Sequence, residues 1–125
     1  MTPDAYLANA QRMFLAHGGS PDASASRAIA HAAYYAVYHH AVAVFGLDPR
    51  DKKVTNHGAV RDRILNYTGP NAGLLEAQAQ YVSLLKGRLD ADYYLVEPVG
   101  ALAAVAALRR AERVFQAAGI TPAIV

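Results

Sequence analysis

The sequence predicts an all-α protein: an up-and-down four-helix bundle with one additional short helix. Alanine is used heavily and β-branched residues are sparse, which favours helix along most of the chain. Glycine and proline divide the chain into five segments, and no stretch alternates polar and apolar residues over the length that a strand needs. No repeat or linker marks a boundary, so we expect one domain over residues 1–125, with its core at about 3–118 and a tail at 119–125.

Glycine and proline also set the expected ends of the helices. A hydroxyl residue followed by Pro is typical of a helix start, and this pattern occurs at Thr2-Pro3 and at Ser20-Pro21. Glycine after the last apolar residue is typical of a helix end. The expected helices extend over about 3–17, 21–45, 57–67, 73–96 and 98–118, and a polar connection, 47–56, joins the second to the third.

The second segment is apolar or aromatic on nearly every side, which predicts a helix at the centre of the bundle or at a subunit interface. At about 100° per residue, one side carries Ile29, Ala33, Ala36, His40 and Val44. The other side carries Arg27, His31, Tyr34, Tyr38 and Phe45. We interpret His40 as a satisfied core histidine. The tyrosines are core or interface aromatics in one interpretation and a base-stacking platform in the other.

The last two segments each show an apolar stripe. The expected stripe of the fifth helix is Leu102, Val105, Leu108, Ala111, Phe115 and Ala118. That of the fourth helix is Leu74, Leu85, Leu89 and Val96, yet Asp92 falls inside it and Arg88 lies on its edge. Arg88 and Asp92 are four residues apart and can pair. They form either an ion pair that locks the bundle or a charged group facing a cleft beside Tyr93 and Tyr94.

Composition excludes several classes of protein. The chain has no Cys, so it has no disulfide framework, thiolate metal site or thiol nucleophile. It contains no apolar run long enough to span a membrane and no signal-peptide pattern, so we expect a cytoplasmic protein. The histidines of the second helix do not converge as metal ligands and no Glu-x-x-His pattern occurs, so we expect no metal site. We also expect no cofactor. A net charge of +2 is compatible with a nucleic-acid partner without indicating one.

Basic residues concentrate around the polar connection and the third helix. They are Arg50, Lys52, Lys53, Arg61 and Arg63, with Asp48, Asp51 and Asp62 between them. One interpretation is an ordinary solvated surface, and the other is a rim that contacts phosphates beside Arg88.

Three stretches together resemble a known superfamily. They are RAIAHAAYYAVYH at 27–39, His57-Gly58, and RLDADY at 88–93. In order and spacing, over about residues 23–118, they are similar to the small prokaryotic members of the HEPN superfamily. The resemblance implies a bundle of four to five helices that forms a homodimer, with polar residues in a cleft between the subunits. It also implies RNA as a substrate class, because many HEPN proteins are metal-independent ribonuclease toxins encoded beside a nucleotidyltransferase-type antitoxin.

The ribonuclease motif of that superfamily is an Arg followed after four to six residues by a His. The imidazole takes the proton of the ribose 2′-hydroxyl and the guanidinium holds the phosphate. Here the positions at which that His would stand after Arg88 are occupied by Tyr93, Tyr94 and Leu95. A phenol with a pKa of about 10 is a poor base at neutral pH. His57, like His31 and His39, could supply a base from elsewhere in the bundle or from the other subunit.

The sequence therefore leaves three functional hypotheses. The first is a toxin-like protein acting on RNA, with Arg88, Asp92, Tyr93, Tyr94 and His57 as candidate catalytic residues. The second is a non-catalytic bundle that binds a nucleotide, RNA or a protein, with Arg27, His31, Tyr34 and Tyr38 as candidate binding residues. The third concerns regulation: in some relatives a partner nucleotidyltransferase adds a nucleotide to a Tyr near this motif, which makes Tyr93 or Tyr94 a candidate acceptor.

Overall fold

A bundle of four long helices and one short helix forms the protein. The computed structural model describes residues 2–92 and 100–120, and only the backbone of residues 91 and 92. Within these ranges the helices are α1 (Pro3–Ala16), α2 (Ala23–Phe45), α3 (His57–Leu65), α4 (Ala72–Asp92) and α5 (Ala101–Ala117), with no strand. The prediction of an all-α bundle with an extra short helix is confirmed.

Helix α2 is the centre of the bundle, as the two apolar sides of its sequence predict. It contacts each of the four other helices, and its buried residues lie all round its axis. Its start differs from the expected one, because Asp22 rather than Ser20 is the cap: the Asp22 carboxylate accepts a hydrogen bond from the N–H of Ala25 at 2.8 Å. Its end is as expected, since Gly46 takes a left-handed conformation with φ of 68°.

The connection and α3 bring His57 to the flank of α2. Asn56 caps α3 by accepting from the N–H of Ala59 at 2.9 Å, and Thr55 donates to the carbonyl of Asp48 at 2.6 Å. At the other end, the side-chain amide of Gln78 donates to the carbonyls of residues 64, 65 and 67. These bonds satisfy groups that a short helix leaves open and hold α3 against α4. His57 is therefore fixed as the first residue of α3.

The buried stripe of α4 differs from the predicted one. Leu74 is buried as expected, whereas Leu85 and Leu89 are only half-buried. The buried positions are Gly73, Leu74, Ala77, Gln80, Tyr81 and Leu84. This stripe continues to Arg88, four residues after Leu84, so Arg88 lies on the inner face of α4 rather than at its edge. Val96 lies outside the described residues.

The stripe of α5 is also rotated from the expected one. Leu108, Ala111 and Phe115 are buried as predicted, together with Ala104, Ala107 and Val114. Leu102 is 88% exposed, so its placement in the core was wrong. The reason is geometric: residues three apart drift around a 3.6-residue helix by about 60° per step, which turns Leu102 far from Leu108. Helix α5 begins at Ala101, and Pro98 lies outside the described residues.

Candidate functional site

Five side chains from three helices meet where α2, α3 and α4 come together. They are Tyr34, Tyr35 and Tyr38 of α2, His57 of α3 and Arg88 of α4, and we call them the Arg88–His57 cluster. Tyr34 and Tyr38 are one turn apart and so face the same neighbours. His57 packs on both of these rings as the first residue of α3, and Arg88 reaches Tyr34 and Tyr35 from the inner face of α4.

A buried hydrogen-bonded chain forms the floor of the cluster. The hydroxyl of Tyr34 lies 2.8 Å from the hydroxyl of Tyr81 and 2.7 Å from Nδ1 of His57. Tyr34 and Tyr81 are both 0% exposed. Burial raises the pKa of Tyr34 to about 12, although the hydrogen bond from Tyr81 and the charge of Arg88 lower it. Burial likewise raises the pKa of Tyr81 far above its ordinary value, so both phenols keep their protons at neutral pH.

Arg88 brings a permanent positive charge to the cluster. Its guanidinium donates a hydrogen bond to the hydroxyl of Tyr35 at 3.2 Å. The guanidinium carbon lies 5.7 Å from the ring centres of both Tyr34 and Tyr35, within the range of a cation–π interaction. Aromatic faces and a hydroxyl thus orient a half-buried guanidinium, which is the group best suited to hold a phosphate or carboxylate through two parallel bonds.

His57 is neutral at neutral pH in this setting. Its ring centre lies 4.5 Å from that of Tyr38, and the Tyr35 ring meets it edge-on at 5.7 Å. Burial lowers the pKa of His57, and the positive charges of Arg88, His39 and Lys52 lower it further. The cluster therefore joins a fixed cation to a neutral imidazole that can donate or accept one hydrogen bond through Nε2.

A cavity of about 190 Å³ opens beside the cluster. Tyr35, Tyr38, His39 and His57 line it together with Lys52 of the connection. It offers aromatic surface and a flexible ammonium next to the imidazole. Lys52 is thus the basic residue that the structure places at the cavity. Arg50 pairs instead with the carboxylate of Asp48 at 3.6 Å, Arg61 pairs with its neighbour Asp62, and Arg63 lies over the Phe45 ring.

The structure places the sequence-predicted residues in different regions. His57 and Arg88 come together, and Tyr38 packs on His57. Tyr34 is wholly buried, so it supports His57 rather than presenting a surface. The side chain of Asp92 and all of Tyr93 and Tyr94 lie outside the described residues.

Arg27 and His31 lie next to the cluster rather than in it. The guanidinium of Arg27 donates to the backbone carbonyl of Asp90 at 3.2 Å, which ties α2 to the end of α4. The His31 ring packs 4.5 Å from that of Tyr35. Both residues line a second cavity, of about 470 Å³, between α1 and α2.

Sequence reasoning missed Tyr81 and mistook one property of His40. Tyr81 lies seven residues before Arg88, a spacing that puts both on one face of a helix, and this was the available signal. His40 is buried against Phe115, with ring centres 5.2 Å apart, as expected of a core histidine. However, its buried Nε2 has no hydrogen-bond partner among the described residues, so it is not a satisfied one. Burial lowers the pKa of His40.

Comparisons with family models, curated proteins and solved structures give no match to this chain. The resemblance to the HEPN superfamily therefore depends on the three sequence stretches alone. In the described ranges, no group of three or more His, Asp or Glu residues is placed to hold a metal ion. No helix there is long and apolar enough to cross a membrane.

Proposed function

We propose that the protein is a HEPN-like module that binds RNA or a nucleotide, with Arg88 and His57 holding a phosphate. The observation that carries this proposal is the convergence of the Arg88 guanidinium and the neutral His57 imidazole on the same two side chains, Tyr34 and Tyr35. The two residues are 31 positions apart in the sequence and come from different helices. A buried phenol pair supports the imidazole and aromatic rings support the guanidinium, so both groups are fixed before a ligand arrives.

Phosphate is the ligand chemistry that this pair fits. Arg88 supplies a planar, permanently charged fork, and Nε2 of His57 adds a third polar atom. On the His57 side of the pair, the cavity adds the ammonium of Lys52 and the aromatic surface of Tyr35 and Tyr38. Contacts of this kind hold a nucleic-acid backbone without reading its sequence, and they weaken as salt concentration rises.

Metal-independent cleavage of RNA is the second candidate function. It is favoured by the lowered pKa of His57, which keeps the imidazole unprotonated beside Arg88 at neutral pH. In that reaction Nε2 would take the proton of the 2′-hydroxyl while Arg88 neutralises the charge that develops on the phosphate. The two functions differ in whether bound RNA is broken.

One experiment tests both candidates. Purified protein is mixed, in EDTA, with a fluorescein-labelled single-stranded RNA; anisotropy reports binding and a denaturing gel reports cleavage. We expect Arg88→Gln to weaken binding roughly 10- to 100-fold, the effect of losing a charged hydrogen-bonding partner. Arg113→Gln is the matched control, because it removes the same charge from an exposed position of α5. Equal affinity of the two variants contradicts the proposal. Cleavage lost in Arg88→Gln selects the second candidate.

The partners belong to the same proposal. A homodimer is supported by exposed apolar residues on one face of α4, where Leu75 and Val82 are seven residues apart and Val82 is 62% exposed. Light scattering of the native chain beside Val82→Glu tests it, with a dimer mass expected only for the native chain.

A nucleotidyltransferase-type antitoxin remains the proposed partner. Intact-mass analysis after co-expression with such an enzyme tests Tyr93 and Tyr94 as acceptors, and an unchanged mass contradicts it.

A further inference from the structure

The buried chain of Tyr81, Tyr34 and His57 has only one direction of hydrogen bonding that satisfies every proton. Tyr81 is fully buried, and among the described residues its hydroxyl has the Tyr34 hydroxyl as its hydrogen-bond partner. A buried hydroxyl that donates to nothing loses the free energy of a hydrogen bond. The proton of Tyr81 therefore lies toward the oxygen of Tyr34.

The direction of this chain also determines the tautomer of the His57 imidazole. The Tyr34 hydroxyl accepts a hydrogen bond from the Tyr81 hydroxyl. It must therefore donate its own hydrogen bond to its other neighbour, Nδ1 of His57 at 2.7 Å. Nδ1 is then an acceptor, and the single proton of the neutral ring is on Nε2. The reverse direction would leave the Tyr81 proton without an acceptor in a dry environment.

We propose that Tyr81 and Tyr34 are positioning residues that hold His57 in the tautomer with hydrogen on Nε2, so that His57 and Arg88 form a two-donor site for a phosphate oxygen. This inference depends on the proposed function for its ligand, while the tautomer stands on the geometry alone. It also separates the two candidate functions, because an imidazole with hydrogen on Nε2 donates to phosphate and cannot take a proton there. The site is thus a binding site for the RNA backbone rather than a general-base centre.

The groups around His57 keep it in this state as pH falls. Three elements place side chains around the His57 ring. They are α2 with Tyr34, Tyr35, Tyr38 and His39, α4 with Arg88, and the connection with Lys52. None of them is negatively charged at neutral pH. Protonating the ring would also place a second proton on Nδ1, directly opposite the proton that Tyr34 donates, so the whole chain would have to reverse.

The test is the protonation pattern of the His57 ring in the ligand-free protein, read from long-range ¹H–¹⁵N correlations of ¹⁵N-labelled histidine at pH 7. We expect an unprotonated Nδ1 and a protonated Nε2. A proton on Nδ1 overturns the inference. This measurement needs no RNA, so its outcome is independent of the test of the proposed function. If Nε2 is protonated but the protein binds no RNA, the positioning role of the tyrosines is supported and the proposed ligand is wrong.

Substitution of the tyrosines provides the second readout. In Tyr81→Phe the Tyr34 hydroxyl no longer accepts a hydrogen bond from Tyr81, so it can either donate to Nδ1 of His57 or accept from it. We therefore expect both tautomers of His57 and a higher pH midpoint for its titration. Tyr38→Phe is the control, because Tyr38 packs on His57 through its ring; we expect it to keep the native tautomer. An identical tautomer population in Tyr81→Phe and the native protein contradicts the positioning role. If Tyr81→Phe does not fold, the native spectrum alone decides.

Discussion

The hydroxyl of Tyr34 lies 2.7 Å from Nδ1 of His57, so the middle of the central helix is bonded directly to the first residue of the short helix α3. The two residues are 23 positions apart, and the polar connection between them lines one cavity together with Tyr35 and Tyr38 of the same helix. The candidate site and the packing of α3 therefore share one hydrogen bond. Changes made to test the site will also change stability, and the two effects must be separated.

The hydrogen-bonded chain makes the two tyrosines unequal in stability. Tyr34→Phe removes two bonds and leaves the buried Tyr81 hydroxyl without a partner, whereas Tyr81→Phe removes one bond and leaves that of Tyr34 to His57. We expect Tyr34→Phe to lower the free energy of unfolding by about 2–3 kcal/mol and Tyr81→Phe by about 1 kcal/mol, measured by urea denaturation. The double variant should lose less than the sum. Strict additivity would argue against a shared chain.

Stability should fall as the solution becomes acidic. Burial lowers the pKa values of His39, His40 and His57 below 6.5 in the folded protein. Between pH 6.5 and those lower values the unfolded chain binds more protons, so the stability present above pH 6.5 is lost as pH falls. Each histidine contributes a slope of at most about 1.4 kcal/mol per pH unit.

His40 provides the direct check of this pH dependence. In His40→Leu one of the three groups is removed, so we expect a smaller difference in the free energy of unfolding between pH 7 and pH 5 than in the native protein. Urea denaturation of both proteins at pH 7 and at pH 5 measures that difference. Equal pH dependence in His40→Leu and the native protein would show that His40 does not carry a depressed pKa.

Two glycines of different conformation predict opposite effects of the same substitution. Gly46 ends α2 with φ of 68°, where a side chain is strained, so Gly46→Ala should lower the free energy of unfolding by about 1 kcal/mol. Gly87 lies inside α4 and an added Cβ there would meet nothing within 4 Å, so Gly87→Ala should raise it by about 0.5–1 kcal/mol. Chemical denaturation of the two variants checks the prediction. The same sign for both would contradict these helix-end and helix-interior assignments.

The shape of the guanidinium, and not only its charge, should matter at residue 88. Arg88→Lys keeps a positive charge but loses the planar fork and its fit to the Tyr34 and Tyr35 rings. We expect Arg88→Lys to bind single-stranded RNA more weakly than the native protein with a similar salt dependence. Arg88→Gln should in addition reduce the slope of log affinity against log salt by about 0.7, the value for one phosphate contact on a single strand. A salt slope unchanged in Arg88→Gln would remove Arg88 from the phosphate contacts.

The sequence predicted the fold well because its signals are local. Alanine content and the glycine stops predicted the helix ends that lie within the described residues to within a few residues, and the two-sided sequence of α2 predicted its central position. The predicted end of the fourth helix and start of the fifth lie outside the described residues. The errors came from rotation about helix axes: repeating a three-residue step placed Leu102 in the core, and the stripe chosen for α4 passed over Tyr81. A rotation of a helix about its axis by less than the angle between two successive residues changes which side chains are buried. The elements packed against the helix determine that rotation.

The candidate site was predicted only in part because it depends on contacts between distant segments. The sequence identifies Arg88 as a charged residue beside an apolar stripe, which marks it as a candidate. It does not indicate which residue His57 contacts, or distinguish His57 from the other histidines. Their meeting depends on the turn of the connection that places α3 against α2, which is held by Thr55, Asn56 and Gln78. No spacing rule within one helix contains that information.

Phosphate binding at His57 can be followed by NMR of the histidine rings of ¹⁵N-labelled protein while single-stranded RNA is added in EDTA. We expect the Nε2–H signal of His57 to shift with RNA concentration, the signals of the exposed His17 and the buried His40 to stay in place, and the His57 shift to be abolished in Arg88→Gln. If RNA binds while the His57 signal stays in place, the phosphate is held elsewhere on the protein and the proposed site is wrong.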